Sequence, residues 1–176
     1  MTNLDGRVEQ VTEYHTEKFV DERGTLTETF SRHNGFDISK FDIQLELEVS
    51  SKKGVVRGFH YQTGENAQAK LVRVLNGKIL DAVVDIRQGS STFGVCSWRV
   101  LEENDGKVLY IPRGFAHAYQ VLIDSKILYK LDAPYDPASS RGIRYDDPHF
   151  EIPWDRSVPA IMSITDQNYP LLKEAF

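Results

Sequence analysis

The chain reads as an all-β domain, a sandwich or barrel. Three observations predict this. Short apolar-alternating runs recur roughly every eight to twelve residues, turn residues punctuate them, and sustained helical periodicity is lacking. The strongest local signal spans 69–87. There Ala69-Lys70-Leu71-Val72-Arg73-Val74-Leu75 and a second run from Lys78 to Arg87 flank Asn76-Gly77, the preferred pair of a two-residue type I′ hairpin. In the second run Leu80, Ala82, Val84 and Ile86 share one face, and Asp81, Asp85 and Arg87 share the other with Ile79 and Val83. Further strands are expected over 54–60, 95–101, 107–111, 117–123 and 126–132, separated by Asn104-Asp105-Gly106 and Arg113-Gly114 among other turns. A turn or two of helix fits 36–41 and 168–175, the latter with Pro170 near its start.

Composition bounds the function. With 176 residues, 40% of them hydrophobic and 27% charged, the chain suits one globular domain over 1–176. The net charge is 21 − 26 = −5 and no basic run stands out, which argues against nucleic acid; a phosphate-bearing ligand needs a local cluster of arginine and lysine. A single cysteine excludes an intrachain disulfide framework and a cysteine-rich zinc site, and Cys96 lies in a strand-like run as an expected buried bystander. No apolar leader opens the sequence and nowhere do 18 apolar residues run together, so a soluble, cytoplasmic protein without a membrane partner is expected.

Alternation also shows which polar side chains share an apolar face. Lys70 shares one with Val72 and Val74, and Tyr129 lies between Ile127 and Leu131; His60 goes with Val56 and Gly58, and His117 with Tyr119 and Val121. Each has an ordinary structural reading taken singly. His60 could be a hydrogen-bonded core histidine, Tyr129 a core tyrosine reaching the rim, Lys70 a snorkelling lysine and His117 a brace for its loop. Together they are harder to dismiss, because a small closed barrel has one interior and a buried lysine needs compensation.

The two histidines are phased by glycines. Gly54 precedes His60 by five intervening residues, with Gln62 two further on; Gly106 is followed by Pro112, Gly114 and His117. These runs resemble the two motifs of the cupin β-barrels, with Gln62 where the first motif carries a second histidine. Glu65 falls one or two residues short of the usual cupin carboxylate. Catalytic metal needs three or more imidazole or carboxylate ligands, so the motif argues for chemistry without a metal, although a metal-dependent cupin remains an alternative.

A narrower resemblance covers nearly the whole chain. It rests on Asp21-Glu22-Arg23-Gly24 with Glu28, on Gly54 through Gln62, on Gln68-Ala69-Lys70-Leu71-Val72 and on Val84-Asp85-Ile86-Arg87. Gly89 through Gly94, Ile111 through His117, Tyr129-Lys130, Tyr135-Asp136-Pro137, Asp146-Asp147-Pro148, Ile152-Pro153-Trp154 and Ser163 to Asp166 continue it in order. The chain resembles the dTDP-4-dehydrorhamnose 3,5-epimerase family. That resemblance implies a cupin-like jelly-roll barrel with short peripheral helices, working without cofactor as a homodimer whose contacts involve roughly residues 1–50. It implies epimerisation at C3, C5 or both of a nucleoside-diphosphate 4-keto-6-deoxy sugar. By matched position His60 is the base, Asp166 orients it, Lys70 stabilises the enolate oxygen and Tyr129 is the acid on the opposite ring face. Substrate binding falls to Arg57, to Arg23 from the partner subunit, and to Glu28, Gln62, His117 and Tyr135.

The nucleotide-facing shell departs from the family pattern. Leu45 and Leu47 occupy positions where a glutamine and an asparagine are usual, and Gln44 substitutes only through a one-residue shift that reverses its strand face. Leu26 stands where a base-stacking aromatic is frequent, and Ala118-Tyr119 replaces a Gly-Phe pair. The reaction class is therefore better supported than the base or sugar. A single-centre epimerase and a catalytically silent nucleotide-sugar-binding cupin are the alternatives.

Overall fold

The computed structural model describes residues 10–30 and 41–176. Its strands are β1 (Thr12–His15), β2 (Glu17–Asp21), β3 (Gly24–Glu28), β4 (Leu45–Ser51), β5 (Val56–Gln62), β6 (Lys70–Asp85), β7 (Cys96–Glu102), β8 (Lys107–Ile111), β9 (Phe115–Leu131) and β10 (Ser140–Gly142), followed by short helices α1 (Ile164–Gln167) and α2 (Leu172–Ala175). The expected strands correspond to β5 to β9; β1 to β4 and β10 lie outside the expected runs, and two joins differ.

The runs flanking Asn76-Gly77 form one sixteen-residue strand rather than a hairpin, and those over 117–123 and 126–132 merge into a seventeen-residue one. β6 and β9 pair antiparallel from Lys70↔Leu131 to Asp85↔Phe115, with irregular register between Val74 and Ile79. A type I′ turn needs positive φ at both central residues. Gly77 has φ +84°, but Asn76 is not in that region, so the pair forms a bulge. Glu103, in the turn after β7, holds it. Its carboxylate accepts from Asn76 Nδ2 at 2.6 Å and from the Gly77 amide at 3.3 Å, and its own amide donates to the Gly77 carbonyl at 2.9 Å.

The eight strands other than β2 and β3 share one continuous hydrogen-bonded ladder, and the bulge divides it into two half-sheets that form the sandwich. The first half of β6 and the second half of β9 lie with β4, β8 and β1 in one sheet. Their other halves lie with β7, β5 and β10 in the second. Between them Val72, Val74, Ile79, Val83, Leu109, Ile127 and Leu131 form the interior core. This is a cupin-like jelly roll. Outside the second sheet, Leu80, Ala82 and Val84 pack beneath Ile143, Phe150, Ile152 and Trp154, so both faces of that part of β6 are covered. Among the described residues β2 and β3 pair only with each other, as a separate ribbon exposing Phe19, Val20 and Leu26.

The expected helix over 36–41 falls almost wholly outside the described residues. The C-terminal helix begins later than expected, because Pro170 lies outside it and Leu171 is its N-cap. At Gly77 a Cβ would meet the Asp124 carbonyl oxygen at 2.2 Å, in addition to the strain of the left-handed backbone. Gly77→Ala is expected to cost about 2–4 kcal/mol in urea unfolding, whereas an alanine at the neighbouring exposed Asn76 costs about 1 kcal/mol.

Candidate active site

One cavity of about 280 Å³ opens between the sheets, and Arg57, His60, Gln62, Lys70, His117, Tyr129 and Tyr135 all line it. The sequence placed each of these seven in the site. His60 and Arg57 come from β5 in the second sheet, and Tyr129 and Lys70 from β9 and β6 in the first. The cavity thus has an imidazole on one wall and a phenol with an ammonium on the other.

His60 is partly open to the cavity, its side chain 40% exposed, and Nε2 lies 2.5 Å from Asp166 Oδ1. Asp166 is buried at the start of α1, where Ser163 caps the helix by accepting from the Asp166 amide and donates its hydroxyl to Oδ2 at 2.9 Å. Burial works to raise the Asp166 pKa, but hydrogen bonding and charge from His60, with the Ser163 hydroxyl, hold it below the ordinary carboxylate range. A carboxylate on one ring nitrogen leaves the other, Nδ1, for a substrate proton. The Tyr169 ring meets the imidazole edge-on at 5.8 Å.

Lys70 is buried at 7% exposure and donates to the His60 carbonyl at 3.2 Å. Burial lowers its pKa to about 8, against the attraction of Asp81. His117 is buried beside it, with Nε2 2.6 Å from Asp81 Oδ2. Burial drives the His117 pKa down, and Asp81 opposes that shift. Tyr129 packs against the His117 ring at 6.0 Å, and burial, with neighbouring Tyr119 and Asp81, pushes its phenol well above the ordinary value. It therefore keeps its proton at neutral pH.

Not every expected residue reaches the cavity. Gln44 is exposed and bonds Asp42 at 2.5 Å, so the one-residue shift that would bring it inward does not occur in this chain; Leu47 lines the cavity instead. Arg23 lies beyond the cavity at the tip of the β2–β3 ribbon, its side chain 85% exposed and paired with Asp21. Glu28 ends the same ribbon. Gln62 lines the cavity but is committed elsewhere. Its amide donates to Asn66 and Pro134 carbonyls at 2.7 and 3.1 Å and accepts from the Asp136 amide at 2.8 Å, which braces the loop carrying Tyr135.

Sequence reasoning missed Asp81, Tyr119 and Tyr169. Asp81 was legible as a carboxylate sharing a strand face with Ile79 and Val83, and that face proves to be the barrel interior. Tyr119 shared the His117 face, and its hydroxyl is buried beside Tyr129. Tyr169 had no periodic signal, but Gly142 makes room for it, since a Cβ there would lie 2.3 Å from its ring. Cys96 is half-buried, with burial pushing its thiol up to about 12, as suits a bystander. Among the described residues no three His, Cys, Asp or Glu side chains group to hold a metal ion, and no helix is long and apolar enough to cross a membrane.

Comparison with known proteins agrees with this geometry. A family model for dTDP-4-dehydrorhamnose 3,5-epimerase matches residues 5–174. The chain belongs to that family. It is an epimerase, an enzyme of the isomerase class. A dTDP-4-dehydrorhamnose 3,5-epimerase of Methanothermobacter thermautotrophicus is 37% identical over 180 aligned positions, covering 98% of this chain and 93% of that one. A Legionella pneumophila 3,5-epimerase solved with dTDP-4-keto-L-rhamnose superposes with a TM-score of 0.88 at 33% identity, over 94% of this chain and 89% of that one. A 3′-monoepimerase from Streptomyces bikiniensis, solved with dTDP-quinovose, gives 0.87 at 27% identity, over 94% and 85% of the two chains.

The depressed Lys70 pKa has a signed consequence for stability. Between about 8 and 10.5 the unfolded chain binds the proton that the folded one has released, so stability rises with pH across that window. Below it the buried charge costs about 3 kcal/mol. Lys70→Met is expected to stabilise the fold at pH 7, with its advantage over wild type shrinking as the pH approaches 10.5; urea unfolding at both ends of the window checks this.

Proposed function

We propose that the enzyme epimerises a nucleoside-diphosphate 4-keto-6-deoxy sugar, with dTDP-4-dehydro-6-deoxy-D-glucose giving dTDP-4-dehydro-L-rhamnose. One observation carries the proton chemistry: His60, backed by Asp166, and Tyr129, kept neutral by burial, come from opposite sheets and line one cavity. Inversion needs a proton taken from one face of the ring and another returned to the other. His60 Nδ1 removes the proton α to the C4 ketone, and Asp166 stabilises the imidazolium that forms. Electrons from the broken C–H bond move into the ketone, whose oxygen becomes an enolate. Tyr129 then protonates the carbon from the far side. The substrate's ketone is the electron sink, so the steps balance without a cofactor.

Lys70 is the group for the enolate oxygen. Its ammonium is buried in the barrel wall, where a preorganised charge lowers the barrier by about 3–4 kcal/mol. His117 and Asp81 hold the floor beneath it. Arg57, whose Nε donates to Ser51 Oγ at 3.3 Å while its head is exposed at the cavity rim, suits a diphosphate. Tyr135, 63% exposed, suits the sugar at the mouth.

Arg23 and Glu28 belong to a neighbouring site in a homodimer. The β2–β3 ribbon pairs with no other described strand and exposes Phe19, Val20 and Leu26, as an arm packed on a second subunit would. Mixing inactive Arg23→Ala and His60→Ala proteins tests the exchange. Restored turnover means that one subunit supplies Arg23 to the other; mixed dimers that stay inactive mean that each subunit uses its own Arg23, and an Arg23→Ala protein that is active by itself places Arg23 outside the site.

A single-centre reaction is the second reading. It is favoured by the apolar nucleotide side of the cavity, where Leu47 lines the wall and Leu45 packs on the core, and by the likeness to the 3′-monoepimerase. NMR in heavy water separates the two. Deuterium at both C3 and C5 of dTDP-4-dehydro-6-deoxyglucose, lost in His60→Ala, identifies the double epimerase; label at one carbon identifies the single-centre enzyme. No exchange by folded protein would reject this substrate. With Lys70 required as its ammonium, kcat/KM is expected to fall as the pH rises above about 8.

A further inference from the structure

Each inversion leaves the enzyme in the wrong protonation state. His60 has gained a proton and Tyr129 has lost one, so the phenolate must be recharged before it can act again. Tyr129 is only 9% exposed, and a substrate in the cavity closes its open side. A route from behind is needed, above all if two carbons are inverted in succession on one bound sugar.

Tyr119 stands on that route. It is 2% exposed and lines the same cavity, and its hydroxyl is buried with no hydrogen-bond partner of good geometry among the described residues. Around that hydroxyl lie the Ser51 hydroxyl, the Arg57 guanidinium and the Tyr129 hydroxyl. Ser51 accepts from Arg57 Nε, and the Arg57 head is exposed. The chain of groups therefore runs from the surface through Ser51 to Tyr119 and on to Tyr129. A structural role does not account for the hydroxyl. Phenylalanine would fill the same space, and an unsatisfied buried hydroxyl costs free energy rather than supplying it.

We infer that Tyr119 is a proton-relay residue that reloads Tyr129 from solvent by way of Ser51. This rests on Tyr129 being the acid of the proposed reaction. In the step, the Tyr119 O–H bond breaks as the Tyr129 O–H bond forms. The Tyr119 oxygen takes the Ser51 proton, and Ser51 is reprotonated by water at the rim; the hydroxide so formed is neutralised by the proton that the His60 imidazolium returns to solvent. No electron pair leaves the oxygens, and the overall change is one proton passed from His60 to Tyr129 by way of solvent.

Tyr119→Phe tests this, with Tyr129→Phe beside it, using dTDP-4-dehydro-6-deoxyglucose in heavy water. In Tyr119→Phe the solvent exchange driven by His60 should persist. Net inversion should fall about ten-fold or more, short of the 10²–10⁴ of a direct proton donor. KM should hold, the solvent isotope effect on kcat should change, and Tm should stay level or rise. Wild-type inversion with an unchanged isotope effect would overturn the relay, as would a raised KM with kcat intact, which makes the hydroxyl a substrate contact. A lowered Tm with exchange and inversion lost together makes it structural, and also overturns it. The premise is separately visible: if Tyr129→Phe still inverts the carbon, the acid was misassigned, whereas a Tyr129→Phe that fails to invert beside an unaffected Tyr119→Phe removes the relay alone.

Discussion

The site depends on a change of phase in one strand. Along the first half of β6 the inward residues are even-numbered, with Lys70, Val72 and Val74 facing the core; along the second half they are odd-numbered, with Ile79, Asp81 and Val83 facing it. A period-two strand cannot do this without an irregularity, and the bulge at Asn76-Gly77 supplies it. Were the strand regular, Lys70 inside would mean Leu80 and Ala82 inside and Asp81 against the outer layer. The ammonium, the carboxylate beneath it and the apolar outer face that packs on Phe150 and Trp154 therefore follow from a single register shift. β9 needs no such change, since His117, Tyr119, Ile127, Tyr129 and Leu131 are all odd-numbered and inward.

With that phase set, the barrel interior must accommodate charge. Asp81, Asp85 and Arg99 are fully buried, and Lys70, His117 and Asp166 nearly so. Asp85 is compensated by Arg87, Ser90 and Thr92, whose donors reach its oxygens at 2.6–2.9 Å and hold its carboxyl below the ordinary range despite burial. Arg99 lies opposite Asp81 across the strands, and its Nη2 donates to Ser97 at 3.1 Å; among the described residues its Nε and Nη1 and the Asp81 Oδ1 have no hydrogen-bond partner. The wall that bears Asp85 is satisfied and serves the fold, while the floor under His117 retains unspent polarity close to the reacting atoms.

The sequence carried more of the site than of the connections. His60, His117, Lys70 and Tyr129 were each legible because period-two alternation puts them on apolar faces, and closure of the sheets makes those faces one cavity. The joins at Asn76-Gly77 and near Asp124 were not legible, since an Asn-Gly pair between two strand-like runs has the same local chemistry in a turn and in a bulge. Tertiary pairing with Glu103 and Ser125 decides which forms. Gln62 carries a second duty that its motif position does not reveal. It lines the cavity, while both its amide hydrogens and one lone pair of its oxygen hold the loop behind Tyr135. Asp166 came only from the family pattern, because no periodicity links a C-terminal turn to a strand 106 residues earlier.

The two walls divide the labour in a way that accounts for where the chain tolerates departure from its relatives. In the proposed reaction, proton transfer uses groups fixed by the β6–β9 pair, by β5 and by the capped turn at Ser163, each with several backbone constraints. The proposed nucleotide side lies on β4, which pairs only with β9 among the described strands and is partly exposed along most of its length. Leucines at 45 and 47 alter the chemistry such a ligand would meet without disturbing the ladder, since alternate residues of a strand can change chemistry while the backbone pairing persists. Tyr119 is a departure of another kind. It lies on β9 between His117 and Val121, where a hydroxyl can be added to an aromatic ring without moving the strand, and it falls beside the group whose proton is spent in each inversion. Specificity can thus drift on the β4 wall while the reaction class stays tied to the strands that build the barrel.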